Sequence, residues 1–302
     1  MILVTGGAGF IGSHSVDALL AAGFQVRVLD NLSSGKLSNL PQHAALTFIQ
    51  GDISDVDVVD RAMSGATAVL NLAAQVSVQA SIEAPAFSAQ SNITGFINII
   101  ESARRHGVQR LVYASSAAVY GSPAYLPLDE QAPTCPMSPY GLEKLINDQY
   151  AALYRELHGF SSLGMRYFNV YGPRQDPRSP YAGVISKFID RLKQNQPLSV
   201  FGDGLQTRDF VFVKDVARAN VAALQSPLQG VCNIGTGHCV TLLQMVDALA
   251  AVAGKQLQVA HLPARDGDIR ESATYVSRMN DELSVRAAVS LPDGLAALLE
   301  SC

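Results

Sequence analysis

Nowhere in these 302 residues does a basic run stand out. Twenty-two lysines and arginines against 26 aspartates and glutamates leave a net charge of −4, which argues against a nucleic-acid partner. Charged residues make up only 16% of the chain and hydrophobic ones 48%, a balance that excludes disorder and predicts a well-buried globular protein. The four cysteines, Cys135, Cys232, Cys239 and Cys302, contain no Cys-x-x-Cys pair, so neither a disulfide framework nor a zinc site is indicated. The six histidines show no ligand spacing, and no metal is expected. No basic leader precedes the first apolar residues, and no apolar run is long enough to span a bilayer. The expectation is a soluble protein of a reducing, cytoplasmic compartment, without membrane or nucleic-acid contacts, and long enough for about two domains.

What the chain does have is a glycine-rich opening. Ile2-Leu3-Val4 enters Thr5-Gly6-Gly7-Ala8-Gly9-Phe10-Ile11-Gly12-Ser13, which reads as strand, tight turn and helix. Gly6 allows the turn, Gly9 lets backbone N–H groups approach a diphosphate, and Gly12 lets the helix pack closely on the sheet. The helix N-terminus then faces the anion. Glycine turns without ligands are common, so the context carries the weight. Leu20-Ala21-Ala22-Gly23 closes the helix, and a second strand, Gln25-Val26-Arg27-Val28-Leu29, ends at Asp30. An acid about twenty residues past the first glycine bonds both ribose hydroxyls and repels a 2′-phosphate, so the cofactor expected is NAD rather than NADP.

The polar turn Asn31 to Gly35, with Ser33 inside it, belongs beside the adenosine ribose or is an ordinary surface loop. A third strand, Leu46 to Ile49, ends at Gly51-Asp52-Ile53, where Asp52 and Ile53 could hold the adenine amine and face. Ser54 is expected to cap a helix running to Gly65. The fourth strand, Thr67 to Leu72, continues into Ala73-Ala74, small enough for a cofactor to cross. This strict alternation calls for a parallel sheet covered on both faces, with ligands at the carboxyl ends of its strands. A long helical pattern runs from Pro85 to Gly107, and its Asn92 must satisfy its amide locally or by holding a neighbouring loop. Gln109 to Ala114 is the fifth strand, ending at Ser115-Ser116.

The sharpest chemical signal follows. Ser138 can cap a helix with Pro139 at its first position, running to His158-Gly159. Tyr140 and Lys144 share one face of it, a turn apart. A phenol of pKa near 10 is a poor base, but a neighbouring ammonium and a nicotinamide cation would lower that value. Proton abstraction from a sugar hydroxyl then becomes feasible.

Thr5-Gly6-Gly7-Ala8-Gly9-Phe10-Ile11-Gly12, Ser116 and Tyr140-x-x-x-Lys144 together resemble the extended short-chain dehydrogenase/reductase family of NAD-dependent epimerases and dehydratases. The resemblance spans nearly the whole chain and is strongest to UDP-glucose and UDP-N-acetylglucosamine 4-epimerases. It implies an α/β fold, a Rossmann-type doubly wound parallel sheet with a smaller, mixed α/β substrate-binding C-terminal domain. Residues 1–169 would form the NAD-binding domain, rejoined by segments within 206–240, and 170–302 the nucleotide-sugar domain. It also implies a homodimer built through the helices at 85–107 and 139–158 as a four-helix bundle.

The resemblance assigns roles residue by residue. Phe10, Ile11, Leu72, Asn92 and Phe168 join the residues above around NAD. Asn169 touches the phosphates of a UDP-sugar, Val184 opens a helix on the sugar pocket, and Phe201 ends a short edge strand, Pro197 to Phe201. Arg208 and Arg265 are expected on the diphosphate, because guanidinium forks bond phosphate oxygens in pairs. Asp268 would accept from the uridine ribose. Ser272 stands where relatives carry a bulky tyrosine or a small residue, and a serine leaves room for an N-acetyl group. Further on, Asp215 is a candidate helix cap, Thr241 caps a helix to Ala253, Gln256 to Ala260 is a strand, and a closing helix follows Pro292.

In the reaction so implied, Tyr140 as phenolate takes the proton of the sugar 4-hydroxyl and returns it after the 4-keto sugar has turned over. Ser116 shares the hydrogen bond to O4, and Lys144 holds the nicotinamide ribose. A 4,6-dehydratase would carry Thr-Asp-Glu where this chain reads Ser116-Ala117-Ala118, and so lacks its acid here. Net oxidation or reduction of a nucleotide sugar or small alcohol is the alternative chemistry, and a non-catalytic NAD sensor the alternative class. Two positions depart from the pattern: Asn71 replaces a common histidine, and Phe212 a common histidine or tyrosine.

Overall fold

Short apolar runs pair in one direction because each is covered on both faces by a helix returning over the sheet. The computed structural model describes residues 1–123, 125–176, 183–264 and 270–301. Its first half runs β1 (Ile2–Thr5), α1 (Phe10–Ala21), β2 (Val26–Asp30), β3 (Leu46–Gln50), α2 (Val56–Met63), β4 (Ala68–Asn71), α3 (Val78–Glu83), α4 (Pro85–Ala89), α5 (Gly95–Arg105) and β5 (Arg110–Ser116). Then come α6 (Pro139–His158), β6 (Ser162–Tyr167), β7 (Asn169–Tyr171), α7 (Val184–Lys193), β8 (Leu198–Phe201), β9 (Thr207–Phe212) and α8 (Val213–Gln225). The chain closes with β10 (Gly230–Ile234), β11 (Cys239–Thr241), α9 (Leu242–Ala253), β12 (Val259–Leu262) and α10 (Leu291–Glu300).

Seven strands form one parallel sheet in the order β10-β6-β5-β4-β1-β2-β3. The order reverses between β1 and β4, the crevice where doubly wound sheets bind ligands. One core lies over one face, with Val4, Val16, Val28, Leu70 and Val216 in it; the other holds Leu3, Leu29, Phe96, Ile99 and Leu111. β10 and α8 return to this sheet from beyond residue 206. Asn220 of α8 donates to Ser15 Oγ of α1 at 3.0 Å. The remaining strands make two small sheets, β11-β9-β7 and β12-β8, around a separate core that includes Phe188, Val200, Phe212, Met245 and Leu295.

Several local expectations move. Asp55, not Ser54, caps α2, accepting from the Asp57 and Val58 amides, while the Ser54 hydroxyl, like its amide, turns back to the Asp52 carboxylate. The 85–107 pattern is helical throughout but is interrupted at Gln90–Thr94 by a π-helical turn. Asp215 is not a cap: β9 runs straight into α8 at Val213, and Asp215 in the first turn accepts from Arg218 and from the Ala288 and Val289 amides. The strand expected over 256–260 lies at Val259–Leu262, set by pairing with β8. Ser138 does cap α6, accepting from the Gly141 amide at 3.1 Å, and Gly159 ends it with φ +64°. That fixes the first turn, on which Tyr140 sits.

Candidate active site

The glycine turn is built so tightly that side chains are excluded. Gly6 has φ +66°, and a Cβ there would lie 2.7 Å from the Ala73 amide nitrogen. At Gly12 it would lie 2.0 Å from the Gly6 carbonyl. Gly12 is therefore required by the turn's own backbone rather than by the sheet. Gly7, which the motif spacing passes over, is equally constrained: its Cβ would meet Val28 Cγ2 at 2.7 Å. Gly9 differs, with only the Gly6 oxygen, at 3.2 Å, near its missing Cβ. It is the N-cap of α1, and no side chain caps that end. The first amides of α1, at Phe10, Ile11 and Gly12, are thus left without a side-chain partner where an anion is best held.

Asp30 ends β2 next to this turn. It accepts from the Ala8 amide on Oδ2 at 2.9 Å and from the Leu32 amide on Oδ1 at 2.8 Å. The loop closes again at Gly35, where a Cβ would lie 2.9 Å from the Ala8 carbonyl carbon. Asn31 accepts from the Ser33 amide and donates to Asp52 Oδ2 at 2.7 Å. Desolvation pushes the Asp52 carboxyl up, but the bonds from Ser54 and Asn31 outweigh it and hold the group below its ordinary value. Ile53 turns into the core, facing Gly95.

At the end of β4, Thr5 Oγ1 donates to Asn71 Oδ1 and accepts from the Ala73 amide at 3.2 Å. Leu72, Ala73 and Ala74 follow, partly buried. Asn92 satisfies its amide by holding the neighbouring loop: Oδ1 accepts from the Gln75 amide and Nδ2 donates to the Gln75 carbonyl, each at 2.9 Å.

Ser116 lies at the end of β5, its Oγ accepting from the Ala118 amide at 3.2 Å. Lys144 is buried, donates from Nζ to the Ala114 carbonyl at 3.0 Å, and stands 5.8 Å from the Tyr140 ring centre. Burial pulls its ammonium down to about 8, against the opposing charges of Glu143 and Asp148. Burial pushes Tyr140 above its ordinary value, and the hydrogen bond with Ser116 offsets only part of that. Desolvation dominates, and the nearby Glu143 charge adds to it.

Phe168 is buried beside Val119, Tyr120 and Leu128. Asn169 opens β7 and donates to the Asp209 carbonyl at 3.3 Å. Arg208 donates to the Thr207 carbonyl at 2.8 Å, and the Ser272 amide donates to Thr207 Oγ1 at 3.3 Å. The start of β9 thus gathers Asn169, Arg208 and Ser272. Val184 and Phe201, both partly buried, sit at the first position of α7 and the last of β8. Arg265 and Asp268 lie outside the described residues. Thr5, Gly7, Gln75 and Glu143 escaped the reading of the sequence. Only Thr5 and Gly7 carried a signal there, a strand-end hydroxyl and a fourth glycine. No group of three metal-binding side chains occurs among the described residues.

The model of the NAD-dependent epimerase/dehydratase family matches residues 2–235. A UDP-glucose 4-epimerase of Mycolicibacterium smegmatis is 39% identical over 99% of this chain and 97% of its own. Among solved structures, a UDP-N-acetylglucosamine 4-epimerase of Methanobrevibacter ruminantium in complex with UDP-N-acetylmuramic acid is 36% identical. It aligns with TM-score 0.96 over 99% of this chain and 97% of its own. The Thermus thermophilus UDP-glucose 4-epimerase in complex with NAD is 38% identical, with TM-score 0.92 over 99% and 98%.

Proposed function

The chain belongs to the NAD-dependent epimerase/dehydratase family, and from that premise we propose that it interconverts UDP-hexoses at C4, taking UDP-glucose and UDP-N-acetylglucosamine. The observation that carries the reading is the convergence of Ser116, Tyr140 and Lys144 at the carboxyl end of β5 and the start of α6, in the same sheet as the glycine turn.

The cradle fits the cofactor. Gly6, Gly7 and Gly12 leave no room for side chains, the uncapped start of α1 offers amide donors to a diphosphate, and Asp30 closes the ribose end. NAD, when bound, accepts hydride from the sugar carbon and gives it back. The chain's own residues handle the proton. Tyr140 takes it from the 4-hydroxyl and returns it to the carbonyl oxygen of the 4-keto sugar, with Ser116 sharing the hydrogen bond to that oxygen. Burial raises the phenol, and the positive charge an oxidised nicotinamide would bring beside it would favour its ionisation. Lys144 is held by Ala114 within reach of the same space. Asn169, Arg208 and Ser272, which meet at the start of β9, are assigned to the diphosphate and the sugar; the sequence resemblance alone assigns Arg265 and Asp268 to the nucleotide.

The two-domain division at residue 169, with β10 and α8 rejoining the first domain, belongs to this reading. So does a homodimer: Ile82 of α3, Phe87 of α4, and Leu142, Leu153 and Leu157 of α6 are exposed apolar residues, the makings of a four-helix interface. No described helix is long and apolar enough to cross a membrane, and a cytoplasmic enzyme is proposed. Incubating the purified protein separately with UDP-glucose and UDP-N-acetylglucosamine, then resolving the sugars, tests the reading. UDP-galactose and UDP-N-acetylgalactosamine are expected, with no accumulating NADH; NADH rising in step with substrate loss would replace it by net oxidation.

A further inference from the structure

Glu143 stands between the two residues used by the proposed reaction, and it is 3% exposed. Its Oε2 accepts from Ser88 Oγ at 2.8 Å and from Asn92 Nδ2 at 2.6 Å. A buried carboxylate with no partner is strongly disfavoured, so these two donors are what permit it. Asn92 carries the contact further, since its amide also clasps both backbone groups of Gln75. Gln75 directly follows Leu72, Ala73 and Ala74, the loop assigned above to the dinucleotide. The π-helical turn at Gln90–Thr94 places Asn92 for this, and such turns recur at functional sites. A second tie runs parallel: Ser81 Oγ accepts the Tyr140 amide at 3.1 Å while donating to the Val78 carbonyl.

We infer that Glu143 is a positioning residue whose buried carboxylate locks the loop after β4 to the helix carrying Tyr140 and Lys144. The inference rests on the 4-epimerase reading and extends it to a residue that touches neither sugar nor cofactor. Cofactor loop and catalytic helix then share one hydrogen-bonded junction and move together. The carboxylate has an electrostatic consequence as well. Two charges of α6 act on Lys144, Glu143 and Asp148, and both hold its ammonium up against burial. Asp148 is itself paired with Arg166 of β6 at 3.0 Å and accepts from Tyr113 of β5. β5 also gives Lys144 the Ala114 carbonyl, while α4 and the π-helical turn bring only the neutral Ser88 and Asn92 to Glu143.

Glu143→Gln keeps the shape and removes the charge. Loss of a buried charge-assisted hydrogen bond should speed release of NAD from the purified holoprotein about tenfold and lower kcat about tenfold, with KM held within about twofold. Both limbs of the kcat profile should move to lower pH, because the Glu143 charge holds the Lys144 ammonium up and also raises the Tyr140 phenol. Ser88→Ala, which removes one of two donors but keeps the charge, should speed NAD release and lower kcat about threefold each while leaving the pH profile in place. It decides the matter if Glu143→Gln does not fold. Wild-type NAD release in a folded variant, with an unmoved pH profile where that variant is Glu143→Gln, would overturn the inference, even if the melting temperature fell. If the wild-type protein interconverts no UDP-sugar, the 4-epimerase reading fails, while the NAD-release arm still reports on Glu143.

Discussion

The seven-stranded sheet and the smaller C-terminal sheets hold their candidate site residues in different ways. In the first, Gly6, Asp30, Asn71 and Ser116 sit at the carboxyl ends of parallel strands, so strand pairing alone brings them to one edge. In the second, Asn169, Arg208 and Ser272 meet because short strands pair across long stretches of chain. β7 joins β9, and the Thr207 amide donates to the Arg270 carbonyl at 3.0 Å. Backbone pairing sets both regions, the first within one parallel sheet and the second between segments far apart in the chain, so substitutions should separate into changes of cofactor retention and changes of substrate choice.

The largest effect is expected where both regions serve one proton. Tyr140→Phe should lower kcat by about a thousandfold, the scale of a lost general acid and base, while NAD stays bound. Turnover measured beside bound-NAD content checks this, and near-normal turnover would remove Tyr140 from its role. Next comes Gly12→Ala, whose Cβ would lie 2.0 Å from the Gly6 carbonyl. Forcing that turn apart costs about 1–3 kcal/mol, so NAD affinity should fall about tenfold to a hundredfold. Titration of the apoprotein with NAD reads it, and unchanged affinity would mean the cradle tolerates a side chain. Smallest is Ser272→Tyr, which should lower kcat/KM for UDP-N-acetylglucosamine about tenfold or more and leave UDP-glucose within about twofold, a steric discrimination worth about 1–3 kcal/mol. Equal losses on both sugars, or any loss of bound NAD, would blur the contrast between the regions.

The same contrast explains how much could be read from residues alone. Alternating strands and helices, the glycine turn, Asp30, and the Ser138 cap with Tyr140 and Lys144 behind it are local patterns, and local patterns survive in sequence. Elements shifted where a partner distant in the chain decides their limits, as β8 does for β12. Asp215 looked like a cap because an acid near a helix start often is one. Its true partners, the Ala288 and Val289 amides, lie 73 and 74 residues on. Glu143 reads as a solvated helical charge until Ser88 and Asn92 are seen to cover it. Spacing reveals the ammonium a turn from the Tyr140 phenol but not the burial that pushes that phenol up.

The central claim is that the same hydrogen leaves C4 and returns to it within one closed site. UDP-glucose carrying deuterium at C4, equilibrated with the protein in ordinary water, measures this directly by mass spectrometry of the products. Deuterium kept at C4 of the UDP-galactose formed, with none appearing in solvent, is the predicted result. Epimer formed with its C4 label exchanged for solvent hydrogen would contradict it.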